Sequence, residues 1–477
     1  MDRALETPPG SPRRISLSRA GNGAAQAERI APEAPASSKA LLCFCALLIF
    51  THFGRPFDTF LSGYRIPAVI CSIAILVALL TGAAKLLLTP VGIAFLCLIG
   101  WMAVAIPFSF WKGGSVKYVL WYIQFFLILM LVVAEASRTS KDIAKLAGIL
   151  ALSCFFHLMV HGHAVYGRYA SNGTFGNSND MALLAGLAIP FWVLATTLVG
   201  NAAVRFVLLA GGCGYALVVI GRTASRSAIP ALVGMLIVYL IRSGGLQKVA
   251  IMGFAVLGLL VGLVALPKNT LERFASIGDA FHLTGNSLAN GQRRTEAEDS
   301  LKERKELLND AIDIAIAHPF FGVGPGQFEE YRFNEIRNPD GTAKPYLVSH
   351  NTYLEVASES GIPGLCLYLV FLVSIYIAIR RTRRLNKAAP NSDKTISQAC
   401  LCVEAALVYF AIFAAFLTCD KHPHQFVLAG IAIALTRISN TQIQQGPKGK
   451  ASAGVADVPP FFVRRRLALR TPAARRR

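Results

Sequence analysis

The stretch SHNTYLEVASESGIPGLCLYLVFLVSIYIAI, residues 349–379, decides what kind of fold this chain adopts. Its second half carries no charge and, with its flanks, reaches the roughly 20 apolar residues that a helix needs to cross a bilayer core. Its first half is polar and contains His350, Asn351, Glu355 and Glu359, so a loop outside the bilayer runs straight into a membrane helix. Asn351, Glu355 and Glu359 are spaced i, i+4 and i+8, which puts them on one stripe of that helix. Acidic groups entering a membrane are costly and face a cavity or a partner. His350 stands at the junction, where an imidazole can exchange a proton near neutral pH.

The rest of the chain has the same character. Of its 477 residues, 54% are hydrophobic and only 16% are charged, and the mean hydropathy is +0.50. This composition fits a polytopic membrane protein and excludes a string of soluble domains. Further apolar segments fall at 41–53, 66–81, 90–109, 117–135, 143–163, 180–199, 203–220, 226–241, 249–266, 397–418 and 424–438. With 360–379 they make about twelve candidate spans. The formal net charge of +20 does not describe a basic nucleic-acid-binding surface. Much of it sits in the first 39 residues, in the block Arg380-Arg381-Thr382-Arg383-Arg384 and in the C-terminal tail. These are flanks of membrane spans, suited to membrane lipids, and no nucleic acid is expected as a partner. The Lys/Arg bias of the short loops puts both termini inside and the loop 267–350 outside. The ten cysteines lie mostly in apolar runs and suggest neither a disulfide framework nor a zinc site. His157, His161 and His163 lack the companions of a metal motif, so no metal is expected there.

Residues 295–317 of that loop have helical periodicity. Leu301, Leu307, Leu308, Ala311, Ile312 and Ala315 fall on one face, and Lys302, Glu306, Asn309 and Asp313 on the other. Arg304 lies in the middle of the apolar face. It either covers that face with its stem or turns a guanidinium toward an anion at the membrane surface. Pro319 ends the helix and Gly322-Val-Gly-Pro-Gly326 forms a tight loop. Arg222 and Arg226, in the short connection after the seventh span, stand on the outside, where cations are disfavoured. They are interfacial residues or an anion site beside a helix N-terminus. Asn177 and Asn179 precede the sixth span, as a helix cap or as amides that hydrogen-bond a sugar.

Taken in order, these elements resemble the O-antigen ligase and polymerase superfamily of polytopic membrane glycosyltransferases. The resemblance rests on His350-Asn351 followed by Gly361-x-x-Gly364, and on Arg304 with His318-Pro319-Phe-Phe-Gly322-Val-Gly324-Pro-Gly326-Gln-Phe328. Ser225-Arg226-Ser227-Ala228 and the Asn177-x-Asn179 element complete it. It covers about residues 175–440; Leu308 stands where many members have tryptophan, and the basic tails lie outside the pattern.

The resemblance implies an all-α integral membrane protein with about 12 transmembrane helices and one large periplasmic loop containing short amphipathic helices. The expected layout is a disordered cytoplasmic extension (1–39), helices 1–9 (40–266), the periplasmic loop (267–350), helices 10–12 (351–440) and a basic disordered cytoplasmic tail (441–477). It also implies a bacterial inner-membrane enzyme working at the periplasmic face. That enzyme transfers a polyprenyl-diphosphate-linked glycan, with inversion, to a hydroxyl of the lipid A core or of a growing glycan. Arg226 and Arg304 would hold the diphosphate, and His350 would position or deprotonate the acceptor hydroxyl. Arg222, Asn177, Asn179, Asn351 and Glu359 would be substrate-binding residues, with no cofactor or metal. A ligase is the preferred assignment, and an O-antigen or exopolysaccharide polymerase is the alternative. A lipid-linked-glycan flippase fits less well: the unusual charges gather at one side instead of spreading through mid-span positions.

Overall fold

The computed structural model describes residues 38–57, 65–165, 168–170, 175–245, 248–249, 252–253, 291–389 and 392–445. The stretch 1–37, most of the apolar segment 249–266, the loop start at 267–290 and the tail from 446 lie outside the described residues. In chain order the helices are α1 (Lys39–Ile49, extended by a π turn at Phe50–Gly54), α2 (Ile66–Leu80), α3 (Pro90–Ala105), α4 (Lys112–Ala136), α5 (Ser140–Val160) and α6 (Ser178–Ala195). There follow α7 (Ala202–Thr223), α8 (Ala228–Arg242), α9 (Gly291–Ala317), α10 (Phe328–Glu335), α11 (Thr352–Ala388), α12 (Lys394–Phe413) and α13 (His424–Gln445). A small antiparallel hairpin, β1 (His163–Val165) with β2 (Arg168–Ala170), pairs His163 with Ala170.

Local chemistry sets the helix starts. Thr139 and Asp142 close a capping box at α5, and Asn177 and Asp180 do the same at α6. Asn351 caps α11 by accepting from the N–H groups of Tyr353 and Leu354. Among the described residues, seven helices are long and apolar enough to cross a membrane: α3 to α7, α11 and α12. Helices α1, α2 and α8 are apolar but shorter. The expected count of about 12 spans is therefore supported only as far as a multi-pass helical bundle.

Helix α13 lies at the centre, packed by α4 and α11, with Phe426, Val427, Leu428 and Ala429 all buried. Around it Phe95, Tyr122, Phe126 and Phe371 gather on Phe426, and the Phe126 and Phe426 rings stack at 4.4 Å. The outer faces are as apolar as the core: Leu80 is 78% exposed, Phe206 70% and Ile241 65%. Such surface is stable only against lipid.

Helix α9 is longer than the short amphipathic helix expected, and its buried face is rotated. Ile312 is exposed, whereas Ile314 and Asp310 are buried beside Leu307, Ala311 and Ala315. Asp310 is drawn inward by two cations, Arg332 Nε at 2.8 Å and Lys344 Nζ at 2.7 Å. A hydropathy wheel scores each residue alone and cannot register a carboxylate neutralised from another element.

The feature that positions the site is a break in α11. Gly361 has φ 72 and ψ 179, so the helix stops and restarts there. Three carbonyls lose their intrahelical donors, and Pro363, four residues after Glu359, has no N–H to offer. The glycine loop after α9 supplies the replacements. Val323 N donates to Ser358 O at 2.8 Å and Gly324 N to Glu359 O at 3.0 Å. Trp101 Nε1 donates to Ser360 O at 2.8 Å, while Ile362 N turns to Pro319 O at 2.8 Å. The two chains approach so closely that a Cβ on Gly361 would meet Phe320 O at 2.1 Å, and one on Gly322 would meet the Glu359 carbonyl carbon at 2.3 Å. Gly361→Ala should therefore lower the thermal unfolding temperature of the detergent-purified protein. The left-handed strain alone costs about 1–2 kcal/mol, and the collision adds to it. Wild-type stability in this variant would show that the loop is not docked there.

Candidate functional site

His350 stands two residues before α11, next to its cap Asn351, in a left-handed conformation, φ 56, which is uncommon for a residue with a Cβ. Its neighbours hold it there. Ser349 N and Oγ both donate to Glu355 Oε2, at 3.1 and 2.8 Å, and Asn351 N donates to Ser349 Oγ at 3.2 Å. Thr418 Oγ1 donates to the same Glu355 oxygen. Thr352 fastens the helix start to the connection between α12 and α13, with Thr352 Oγ1 donating to Leu417 O at 2.6 Å. Burial, and after it the Arg304 guanidinium, push the His350 imidazole down to about 4. The ring is thus neutral at neutral pH, with a lone pair able to accept a proton. His350 Nδ1 is buried and has no hydrogen-bond partner among the described residues.

Beneath this turn lies a group of buried carboxylates. Glu355 and Glu359 are 0% and 2% exposed, and Lys421 Nζ lies 3.3 Å from Glu355 Oε1 and 3.6 Å from Glu329 Oε1. Burial opposes the charge on Lys421, but the Glu359, Glu355, Glu329 and Asp420 carboxylates outweigh it and hold the ammonium well above its ordinary pKa. Glu359 is taken up by the glycine loop: Gly326 N donates to Oε2 at 2.9 Å and Phe328 N to Oε1 at 3.3 Å. Asp420 Oδ2 accepts from Tyr118 Oη at 2.8 Å. Oxygens of Glu329, Glu355 and Glu359 lie within 4.8 Å of one another, a spacing that could receive a metal ion. The ammonium of Lys421 already supplies a cation to this group.

Arg226 is half-buried in the turn between α7 and α8, while Arg222 is exposed in the last turn of α7. Ser225, beside Arg226, donates its hydroxyl to Asn179 Oδ1 at 2.7 Å. Asn177 Oδ1 accepts from the backbone of Asn179 and Asp180 at 2.8 and 3.0 Å. Its oxygen thus caps α6, whereas Asn179 ties α6 to the arginine turn. Asp180 Oδ1 in turn lies 3.8 Å from His422 Nε2. Burial pushes His422 down to about 3, so this is a packing contact between a carboxyl and a neutral ring. Through Ser225–Asn179, Asp180–His422 and Lys421–Glu355–Ser349, one chain of contacts joins the Arg226 turn to His350. Arg304, half-buried on α9, acts on His350 through its charge.

Sequence reasoning passed over Lys421, Glu329 and Trp101. Lys421 reads as one more loop cation, and its acidic partners are remote in sequence. The available signal was the polar stripe of Glu355 and Glu359, which required a buried cation from elsewhere. Lys421→Met would leave those carboxylates buried with no ammonium beside them. Removing one partner of a buried ion pair costs about 3–5 kcal/mol. Thermal unfolding in detergent should therefore show a large loss of stability, and an unchanged midpoint would refute the pairing.

A helical bundle with lipid-facing apolar surfaces and a polar site where a loop enters a helix defines a multi-pass membrane protein. Residues 211–369 match the family model Wzy_C, described as O-antigen ligase, so this third of the chain is similar to that family. The matched region contains Arg222, Arg226, Arg304, His350, Asn351, Glu359 and the glycine loop; Asn177 and Asn179 precede it. A comparison with curated proteins gives no match.

Proposed function

We propose that the chain transfers a glycan from a polyprenyl diphosphate to a sugar hydroxyl, as an O-antigen ligase acting on the lipid A core at the periplasmic face of a bacterial inner membrane. The observation that carries this is the neutral imidazole of His350, held in a left-handed turn within the field of Arg304 and inside the family-matched region. The Lys/Arg bias of the short loops supports the sidedness, with both termini cytoplasmic.

In the proposed reaction the acceptor hydroxyl attacks the anomeric carbon as the bond from that carbon to the diphosphate oxygen breaks. The configuration inverts, and the hydroxyl proton passes to His350. Negative charge grows on the departing polyprenyl diphosphate, and fixed guanidinium groups stabilise it more than they stabilise the bound donor. Arg226 and Arg304 are assigned that work, with Arg222 as a further cation nearby. Arginine suits it because its planar fork donates two parallel hydrogen bonds and keeps its charge when partly desolvated. In this scheme Asn179 fixes the Arg226 turn through Ser225, and Asn351 and Glu359 fix the helix start and the glycine loop that frame His350.

His350→Ala, Arg226→Ala and Arg304→Ala should each cut transfer from a defined polyprenyl-diphosphate glycan by about 100-fold or more, with membrane-inserted protein unchanged. Normal transfer by purified His350→Ala protein would sink the mechanism. Long glycan accumulating on the lipid carrier in a deletion strain points to ligation, whereas single repeat units would redirect the proposal to polymerisation.

The pH profile has a definite sign. Protonating His350 removes the base, so transfer should persist as pH is lowered from 7 and fail only toward about 4. Arg304→Gln removes one of the two influences that depress this pKa, so His350 in that variant should titrate at higher pH. NMR of the labelled histidine reads this directly, and an unshifted titration would remove Arg304 from its surroundings.

A further inference from the structure

The far end of α11 carries a second concentration of charge that the reaction above does not use. Arg380, Arg383, Arg384 and Lys387 project from its last turns, and Arg242 ends α8 beside them. With Ile241 they line a cavity of about 230 Å³. From His350 this is about 45–55 Å along the helix, at 1.5 Å per residue.

One carboxylate gathers the group. Glu404 of α12 is 2% exposed. Its oxygens lie 2.9 Å from Arg242 Nη2, 3.3 Å from Arg380 Nη1 and 3.4 Å from Arg383 Nη1. Arg383 Nη2 also donates to Arg242 O at 3.2 Å, which ties the end of α8 to the last turns of α11. Five cations thus share one counter-charge, a net of four positive charges around a cavity at a helix junction. Cations that merely mark the end of a span point apart into water; three of these turn inward on one buried oxygen pair.

The apolar surface leading to the cavity says what kind of molecule fits. On α8, Val233, Ile237 and Ile241 are 50%, 48% and 65% exposed, at i, i+4 and i+8. On α11, Val370, Val373 and Ile377 are 53%, 52% and 58% exposed, at i, i+3 and i+7, and the same line continues to Arg380 and Arg384. Each of these two helices therefore carries an apolar ridge that ends at residues lining the cationic cavity.

We infer that this cavity binds the phosphate headgroup of an anionic phospholipid whose acyl chains lie along the ridges of α8 and α11. Guanidinium forks match phosphate oxygens in pairs, and Arg384 and Lys387, which have no carboxylate partner among the described residues, supply the uncompensated charge. The site is independent of the glycan-transfer site and of its chemistry.

The test uses the full chain purified in detergent, with thermal unfolding and native mass spectrometry on adding phosphatidylglycerol, phosphatidylcholine or inorganic phosphate. Phosphatidylglycerol should bind and raise the unfolding midpoint, and phosphatidylcholine should not. In the Arg380→Gln/Arg384→Gln/Lys387→Gln variant, phosphatidylglycerol should bind roughly 100-fold more weakly, the loss expected for three charges. Arg242 and Arg383 remain there to hold Glu404. If the triple variant does not fold, Arg384→Gln alone should weaken binding roughly fivefold. Equal effects of the two lipids, or full phosphatidylglycerol binding by a folded variant, would overturn the site. Inorganic phosphate that stabilises as well as phosphatidylglycerol and displaces it would overturn the lipid as occupant and leave a soluble phosphate ester in its place.

Discussion

Everything at the site end of this molecule depends on three carbonyl groups that the backbone of α11 cannot satisfy. A break at Gly361 inside a helix would leave Ser358, Glu359 and Ser360 with unpaired oxygens in a buried place, at a cost of about 1–3 kcal/mol for each one left unpaired. The glycine loop meets two of them, Val323 N to Ser358 O and Gly324 N to Glu359 O, and the Trp101 indole meets the third. The same break lets Glu359 reach back to Gly326 and Phe328, so its carboxylate is used within the loop that it docks. The helix break, the glycine loop and the carboxylate form one unit. Glycine is required on both sides because a Cβ at Gly322 or Gly361 would occupy the space of the other chain's backbone.

That unit explains why His350 can sit where it does. The start of α11 is fixed from below by the docked loop and from the side by Thr352 bonding to the α12–α13 connection. Glu355 then holds Ser349, and Ser349 holds the turn in which His350 adopts its left-handed conformation. A side chain at a loop end would ordinarily sample several rotamers and backbone states; here the flanking residues are bonded on both sides of it. The environment that restrains the ring also removes its charge, since burial and a neighbouring guanidinium both favour neutral imidazole. A neutral imidazole within the field of a charged guanidinium requires opposite protonation behaviour of the two groups, and arginine keeps its charge where histidine gives it up.

Much of this was legible in the sequence because it is local. The apolar segments from 41–53 to 226–241 correspond to helices whose boundaries shift by a few residues, and those after residue 350 to helices that run up to nine residues beyond them. Asn177 could be recognised as a cap from its position before an apolar run, whereas Asn351, read as part of the stripe with Glu355 and Glu359, turns out to cap α11. What could not be read is the matching of charges between distant elements. Asp310 looks like a surface residue of α9 until Arg332 and Lys344 are placed against it. Lys421 looks like an ordinary loop cation until Glu329 and Glu355 surround it. Burial of a charge is a property of a pair, so periodicity and hydropathy, which grade residues singly, misassign both members. The span count suffers differently: a helix such as α13 is buried on nearly all sides, and length and hydropathy alone do not say whether it crosses.

The two ends of α11 solve the same electrostatic problem with opposite signs. At the His350 end several carboxylates converge on one ammonium, and at the other end several guanidinium groups converge on one carboxylate. Neither group is neutral as a set, and a low-dielectric surrounding makes residual charge expensive. At the carboxylate end the excess is absorbed internally: backbone N–H groups donate to Glu359, hydroxyls to Glu355 and Tyr118 to Asp420. The arginine end is less well served, because guanidinium groups accept no hydrogen bonds and Arg242, Arg380 and Arg383 all turn to the single carboxylate of Glu404. A cluster of donors without acceptors is complete only when something outside the chain brings the oxygens. The difference between the two ends therefore lies in hydrogen-bonding capacity more than in charge: carboxylates can be satisfied by the backbone of their own protein, while a crowd of arginines calls for an anion.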